Sequence, residues 1–290
     1  MSKIYDSFLF FNELDLLDIR LTILDPYVDY FVISECDYTF SGNKKPFYFD
    51  DNKNLFSKFL HKIIHIKNYN SNETENLINT FSNSKKNVFD NIIKYYEIVK
   101  NSPETDFGKI HWCLDYLHRE FVSLGLSDCD DDDIIIFSDL DEIPNPEIIK
   151  NIKDLSLDEN NYTLSQDYHN YFINNLTGMD WMGSVISKYK TIKSDSLCNL
   201  RRNRGKYVMN DNGGWHLSFV GGVDRIKHKL ESYGHQEYNN EVTKSNIKNK
   251  INQNSDLFNR VKEFKTIDIN GYYPNNVIHL IKNKYPYLIK

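Results

Sequence analysis

The sequence predicts an α/β chain built on a central, mostly parallel sheet flanked by helices. Short apolar runs of strand length, rich in β-branched and aromatic residues, alternate through the first half with stretches of helical spacing. The run Ile134–Phe137 (IIIF) passes straight into Ser138, Asp139, Leu140, Asp141 and Glu142, so acids gather where a buried strand should end. In an open α/β sheet, ligands bind beyond the carboxyl ends of the strands. That acidic edge is therefore the first candidate for chemistry.

Ile4–Phe11 (IYDSFLFF) reads as the first strand. Asn12 is placed to cap the helix that follows, with Glu13 and Asp15 in its first turn. Leu14, Leu17, Leu21 and Leu24 give that helix an apolar stripe, and Asp25-Pro26 ends it. Tyr30–Ser34 is a second strand finishing at Glu35, and Ile63–Ile66 a third. Residues 68–86, rich in Asn, Ser and Lys, read as a loop or insertion. Val88–Val99 has helical spacing, and Trp112–Leu124 is another helix, closing at Gly125. Asp130–Asp133 read as a solvated loop before the strand that ends at Asp139. Pro144, Asn145 and Pro146 stop that strand and start a new element. The second half mixes short strands, aromatic loops and helices, and no repeat or linker separates it from the first. One domain is expected over 1–290, with 1–150 and 151–290 as its two halves and a variable C-terminal part.

The 290 residues, 40% hydrophobic, suffice for a full core. A net charge of −6 with no Lys/Arg-rich block argues against nucleic acid as a partner. An acidic protein that binds an anionic nucleotide needs a metal or local basic residues. The Asp139-x-Asp141 pair is hard, oxygen-rich and suited to Mg²⁺ or Mn²⁺, which carry phosphates. The alternative is an acidic turn that caps the next helix. Cys36, Cys113, Cys129 and Cys198 form no Cys-x-x-Cys, so neither a zinc ribbon nor a redox pair is supported, and a reduced, cytosolic setting is expected. No signal peptide or transmembrane run is visible, so a soluble protein without a membrane anchor is expected.

Other features admit two readings each. His111, Asp115 and His118 share a helical face, which suits either metal-ligand spacing or a polar helix surface. In Gly213–Phe219 (GGWHLSF), Trp215 could stack on a sugar and His216 ligate a metal, or the segment could be a glycine turn before a core strand. Gly221-Gly222-Val223-Asp224 reads as a helix start. Arg201, Arg202 and Arg204 either meet a diphosphate or are solvated surface.

Taken together, several stretches resemble glycosyltransferase family 17, whose members include β-1,4-mannosyl-glycoprotein 4-β-N-acetylglucosaminyltransferases. They are Tyr5–Leu21 (YDSFLFFNELDLLDIRL), Val28–Glu35 (VDYFVISE), Thr39–Pro46 (TFSGNKKP), Ser138–Pro146 (SDLDEIPNP), Gly214–Phe219 (GWHLSF) and Gly221–Leu230. The likeness runs to about residue 237, with residues 68–108 longer than the family pattern. It implies a GT-A type fold and inverting transfer of GlcNAc from UDP-GlcNAc to a glycan, with Mn²⁺ or Mg²⁺. Asp139 and Asp141 become the metal and diphosphate residues, and His216 a third ligand, with His235 competing for that place. An inverting transfer needs a base for the acceptor hydroxyl. Asp224 is the first candidate and Glu237 the second. Asn12, Glu13, Glu35 and Arg119 are expected around the nucleotide, and Glu142, Trp215 and His235 around donor sugar or acceptor. Rival readings are another UDP-sugar donor, a phosphatase using Asp139 as nucleophile, and a non-catalytic carbohydrate-binding protein.

Overall fold

The computed structural model describes residues 2–69, 90, 110–193, 195–260 and 264–290. The expected helix over Val88–Val99 and most of the stretch 68–108 lie outside these residues.

Four strands form a parallel array in the order β3 (Ile63–Asn68), β2 (Tyr30–Cys36), β1 (Ile4–Phe10), β4 (Ile134–Asp139). The apolar runs of β1, β2 and β4 are buried on both faces, as parallel strands covered by helices require, while the edge strand β3 is half-buried. The sheet then continues through β7 (Asn175–Lys188), β6 (Tyr162–Asn170), β9 (Gly214–Ser218) and β5 (Glu142–Pro144). Here β4–β7, β7–β6 and β9–β5 pair antiparallel. Two short strands attach at the side, β8 (Val208–Asn210) to β6 and β10 (Lys265–Thr266) to β7. The sheet is thus mixed and curled, not mostly parallel. The second-half strands are also longer than expected: β7 runs 14 residues. Two register shifts in the β6–β7 ladder bend that part of the sheet.

The helices are α1 (Leu14–Leu24), α2 (Ile110–Phe121), α3 (Leu197–Arg202), α4 (Val223–Ser232), α5 (Glu241–Asn252) and α6 (Asn275–Lys284), with short helices at Tyr48–Asn52, Pro146–Lys150 and Tyr189–Ile192. Side-chain alternation on the central strands splits the core. Phe8, Phe10 and Ile33 face α1 and α6, while Tyr5, Val32, Ile135 and Phe137 face Leu126, Leu197 and Leu200.

Three local readings change. Asn12 does not cap α1: Glu13 stands at that position, without a side-chain cap bond. The helix shows no single apolar stripe, because it is buried almost all round and carries Asp15, Asp18 and Arg20 inside. α2 ends at Phe121, and a 3₁₀ segment Val122–Leu126 runs through Gly125. There a β-carbon would meet Val32 Cγ1 at 2.4 Å, so only glycine lets the segment lie on β2. The break at Pro144 is as expected, since Asn145 caps Pro146–Lys150 by accepting from Glu147 N at 3.0 Å.

Candidate active site

The register brings Leu9 of β1 beside Asp139 of β4, and Phe10 beside Glu35 of β2. The carboxyl ends of the parallel strands therefore meet at one edge. A cleft of about 760 Å³ opens there, within the size range of small-molecule sites. Its far walls come from β6, β7, β9, α2, α3 and α4.

Asp139 is held from two sides. Arg119 on α2 donates to Oδ1 at 2.5 Å and Arg201 on α3 to Oδ2 at 2.7 Å. Arg119 also grips Asp115. Arg201 reaches below the cleft floor and forms a fork with Glu142, with both contacts at 2.7 Å. Trp181 Nε1 donates to the same carboxylate at 2.7 Å. Burial raises the carboxyl pKa of both acids, but the neighbouring guanidiniums outweigh it. Asp139 stays ionised well below the usual carboxylate range, and Glu142 is held at about 2.

Asp141 faces the other wall. It accepts from Lys229 Nζ at 2.8 Å and lies 3.8 Å from His216 Nε2. Burial works against charge on Lys229, yet Asp141 and Glu13 raise its pKa, so the ammonium persists. His216 is wedged between the rings of Tyr168 and Trp181. Burial pushes its pKa down more than the nearby acids raise it, which leaves a neutral imidazole at pH 7.

The cleft is cationic although the chain is acidic. Lys45, Arg119, Arg201, Arg202, Arg204, Lys229 and Arg260 line it, against Glu13, Asp115, Asp139 and Asp141. Arg204 has no ion-pair partner among the described residues and lies over the Trp181 ring at 5.3 Å. Such a surplus suits an anionic ligand.

The expected site residues divide sharply. Asp139, Asp141, Glu13, Arg119, His216 and His235 all line the cleft. Glu142 and Glu35 do not: both are fully buried beneath it, and Glu35 is engaged by Phe49 N and His65. Asn12 lines a separate depression beside Asp15 and Arg225. Trp215 alternates with His216 on β9 and so points the other way, into the core against Tyr273 at 4.8 Å. Trp181 supplies the indole at the cleft instead. Asp224 is exposed on the outer side of α4, and Glu237 is an exposed partner of His235; neither lines the cleft. The face bearing His111, Asp115 and His118 is buried toward the site and is not a polar surface. Arg201, Arg202 and Arg204 all line the cleft. Lys229, Trp181 and Tyr168 were missed as site residues, because each comes from an element that sequence periodicity does not orient.

Among the described residues no three His, Cys, Asp or Glu side chains converge as a metal cage. Both Asp139 oxygens carry guanidinium contacts, while Asp141 stands beside a neutral histidine nitrogen. Hard divalent ions are often held by one or two carboxylates and completed by substrate phosphates. Asp141 Oδ2 is itself paired with Lys229, so the acids at the cleft are neutralised by protein cations in this structure.

A model of glycosyltransferase family 17 matches residues 1–104 and 114–269 of this chain. The chain belongs to glycosyltransferase family 17. No protein of curated function matches it. A family 17 protein is a glycosyltransferase, so the chain has a sugar donor and an acceptor to accommodate. The match extends beyond residue 237 and takes in α5. None of the described helices is long and apolar enough to cross a membrane.

Proposed function

We propose that this family 17 transferase moves GlcNAc from UDP-GlcNAc to a hydroxyl of a carbohydrate acceptor, with inversion, on a GT-A type scaffold. The observation that carries the reading is the cationic cleft at the carboxyl ends of β1, β2 and β4, with Asp139 and Asp141 at its floor. A nucleotide diphosphate brings negative charge to meet Arg119, Arg201, Arg204 and Lys229. Guanidiniums suit phosphate because they donate in a fixed fork. As the glycosidic bond to the diphosphate breaks, charge grows on the leaving oxygen, and these preorganised cations stabilise it. Asp141, with His216 and Asp139, would hold Mn²⁺ or Mg²⁺ against the same phosphates, and such an ion would add Lewis-acid stabilisation. Trp181, Tyr168, Trp112 and Tyr233 give the cleft aromatic walls for sugar faces.

Family membership favours glycosyl transfer over the phosphatase reading.

The test is a panel of UDP- and GDP-sugars, with Mn²⁺ or with chelator, read as nucleotide release. Metal-dependent UDP release from UDP-GlcNAc is expected. Release from another sugar nucleotide would keep the mechanism and replace the donor. No release from any donor would contradict the proposal.

A further inference from the structure

Arg20 lies in the middle of α1, and its side chain is wholly buried. A guanidinium has five N–H donors. Nε and Nη2 donate to the two oxygens of Asp6 on β1, at 2.8 and 2.6 Å. Nη2 also donates to Ser138 Oγ at 2.6 Å. Nη1 donates to the main-chain oxygens of Asp139, Leu140 and Glu142, at 2.9, 3.1 and 3.0 Å. All the donors are used, and one Nη1 hydrogen serves two carbonyls.

Three of these acceptors are the backbone of the turn that carries the cleft acids. Asp139 and Asp141 line the cleft, and Leu140 between them, only 4% exposed, borders it while packing into the core beneath. A buried carbonyl without a partner is costly, so the turn's conformation depends on the donors offered from beneath. Neutralising Asp6 needs only a positive charge, which lysine would supply. Reaching three carbonyls as well needs the planar fork of arginine.

We propose that Arg20 is a positioning residue for the donor site. By gripping the main chain of Asp139, Leu140 and Glu142 from the core side, it sets how Asp139 and Asp141 face the cleft. This rests on reading the cleft as a sugar-nucleotide site. Arg20 itself touches no ligand.

Two variants test it. Asp6→Leu/Arg20→Met replaces the buried pair with apolar groups of similar size, an exchange that other proteins tolerate. Arg20→Lys keeps the charge opposite Asp6 and removes the fork. Thermal unfolding, amide hydrogen exchange over residues 139–144 and UDP titration calorimetry are measured on each. Both variants are expected to fold and unfold cooperatively, at a lowered temperature because the turn carbonyls lose their donors. Both should exchange faster in the turn and bind UDP at least about tenfold more weakly, since small misplacements of a site cost that much or more. Should the double variant fail to fold, Arg20→Lys decides alone. Wild-type turn exchange and wild-type UDP affinity in Arg20→Lys would overturn the proposal. Wild-type protein that does not bind UDP would instead overturn the nucleotide reading. The exchange data would still show whether Arg20 holds the turn.

Discussion

Asp139 and Glu142 share the Arg201 guanidinium, and the consequences can be worked out group by group. Glu142 is fully buried, so removing its cation strands a charge. Arg201→Met should destabilise the protein by about 3–5 kcal/mol, the usual effect of breaking a buried pair from one side. Urea unfolding at neutral pH measures it. The pH dependence has a definite sign. Glu142 titrates at about 2 in the folded state against an ordinary 4.5. Its stabilising contribution is complete above the unfolded value and is lost as pH falls toward the folded one. Unfolding free energies measured from pH 5 down to about 3 should therefore fall less steeply in Glu142→Gln than in the wild type. The acids were legible in the sequence because three carboxylates after an apolar run demand compensation. Their partners were less so. Arg201 stood out as part of a cluster, but nothing in its spacing tied it to Asp139, 62 residues away. Arg20 and Asp6 did leave a trace: one charge alone in an apolar strand, and its opposite inside an apolar helix.

The elements that read correctly are those whose period is fixed by burial. β1, β2 and β4 are buried on both faces and the edge strand β3 is half-buried, and the apolar runs of all four give bounds within two residues of those observed. β6 and β7 were not resolved from the sequence, because register shifts break their alternation and polar residues fill the cleft side. β9 explains why Gly213–Phe219 supported two readings evenly: Trp215 belongs to the core and His216 to the cleft. Gly214 makes the close approach that lets β9 pair with β5. Its φ is +114°, and a β-carbon there would stand 2.1 Å from Ile143 O. Gly214→Ala should destabilise by about 2 kcal/mol or more, since both strain and a backbone clash must be relieved. Chemical denaturation measures that cost. Weaker UDP binding should accompany it, because β5 carries Glu142.

On the scale of the whole molecule, the C-terminal segment fastens the sheet's first helix. Lys284 and Tyr285 bind Asp18 at 2.7 and 2.8 Å, and Tyr287 binds Asp15 at 2.9 Å. Asp15 also takes a fork from Arg225 on α4, which ties α1 to a cleft wall. Deleting residues 275–290 would uncover α1 and leave Asp15 and Asp18 short of partners. The truncated protein is expected to lose cooperative thermal unfolding, read by circular dichroism. None of this long-range tying was legible, because it joins residues 210 or more apart that carry no local signature. Family membership was legible, since it rests on contiguous motifs, and a cleft does open at the strand ends where the acidic run pointed. The most direct measurement is calorimetric titration of the wild-type protein with UDP and with uridine, in Mn²⁺ and in chelator. The cationic cleft predicts that UDP binds, that uridine binds far more weakly, and that added salt weakens UDP binding. If UDP does not bind under either condition, or uridine binds equally well, the cleft is not a nucleotide diphosphate site.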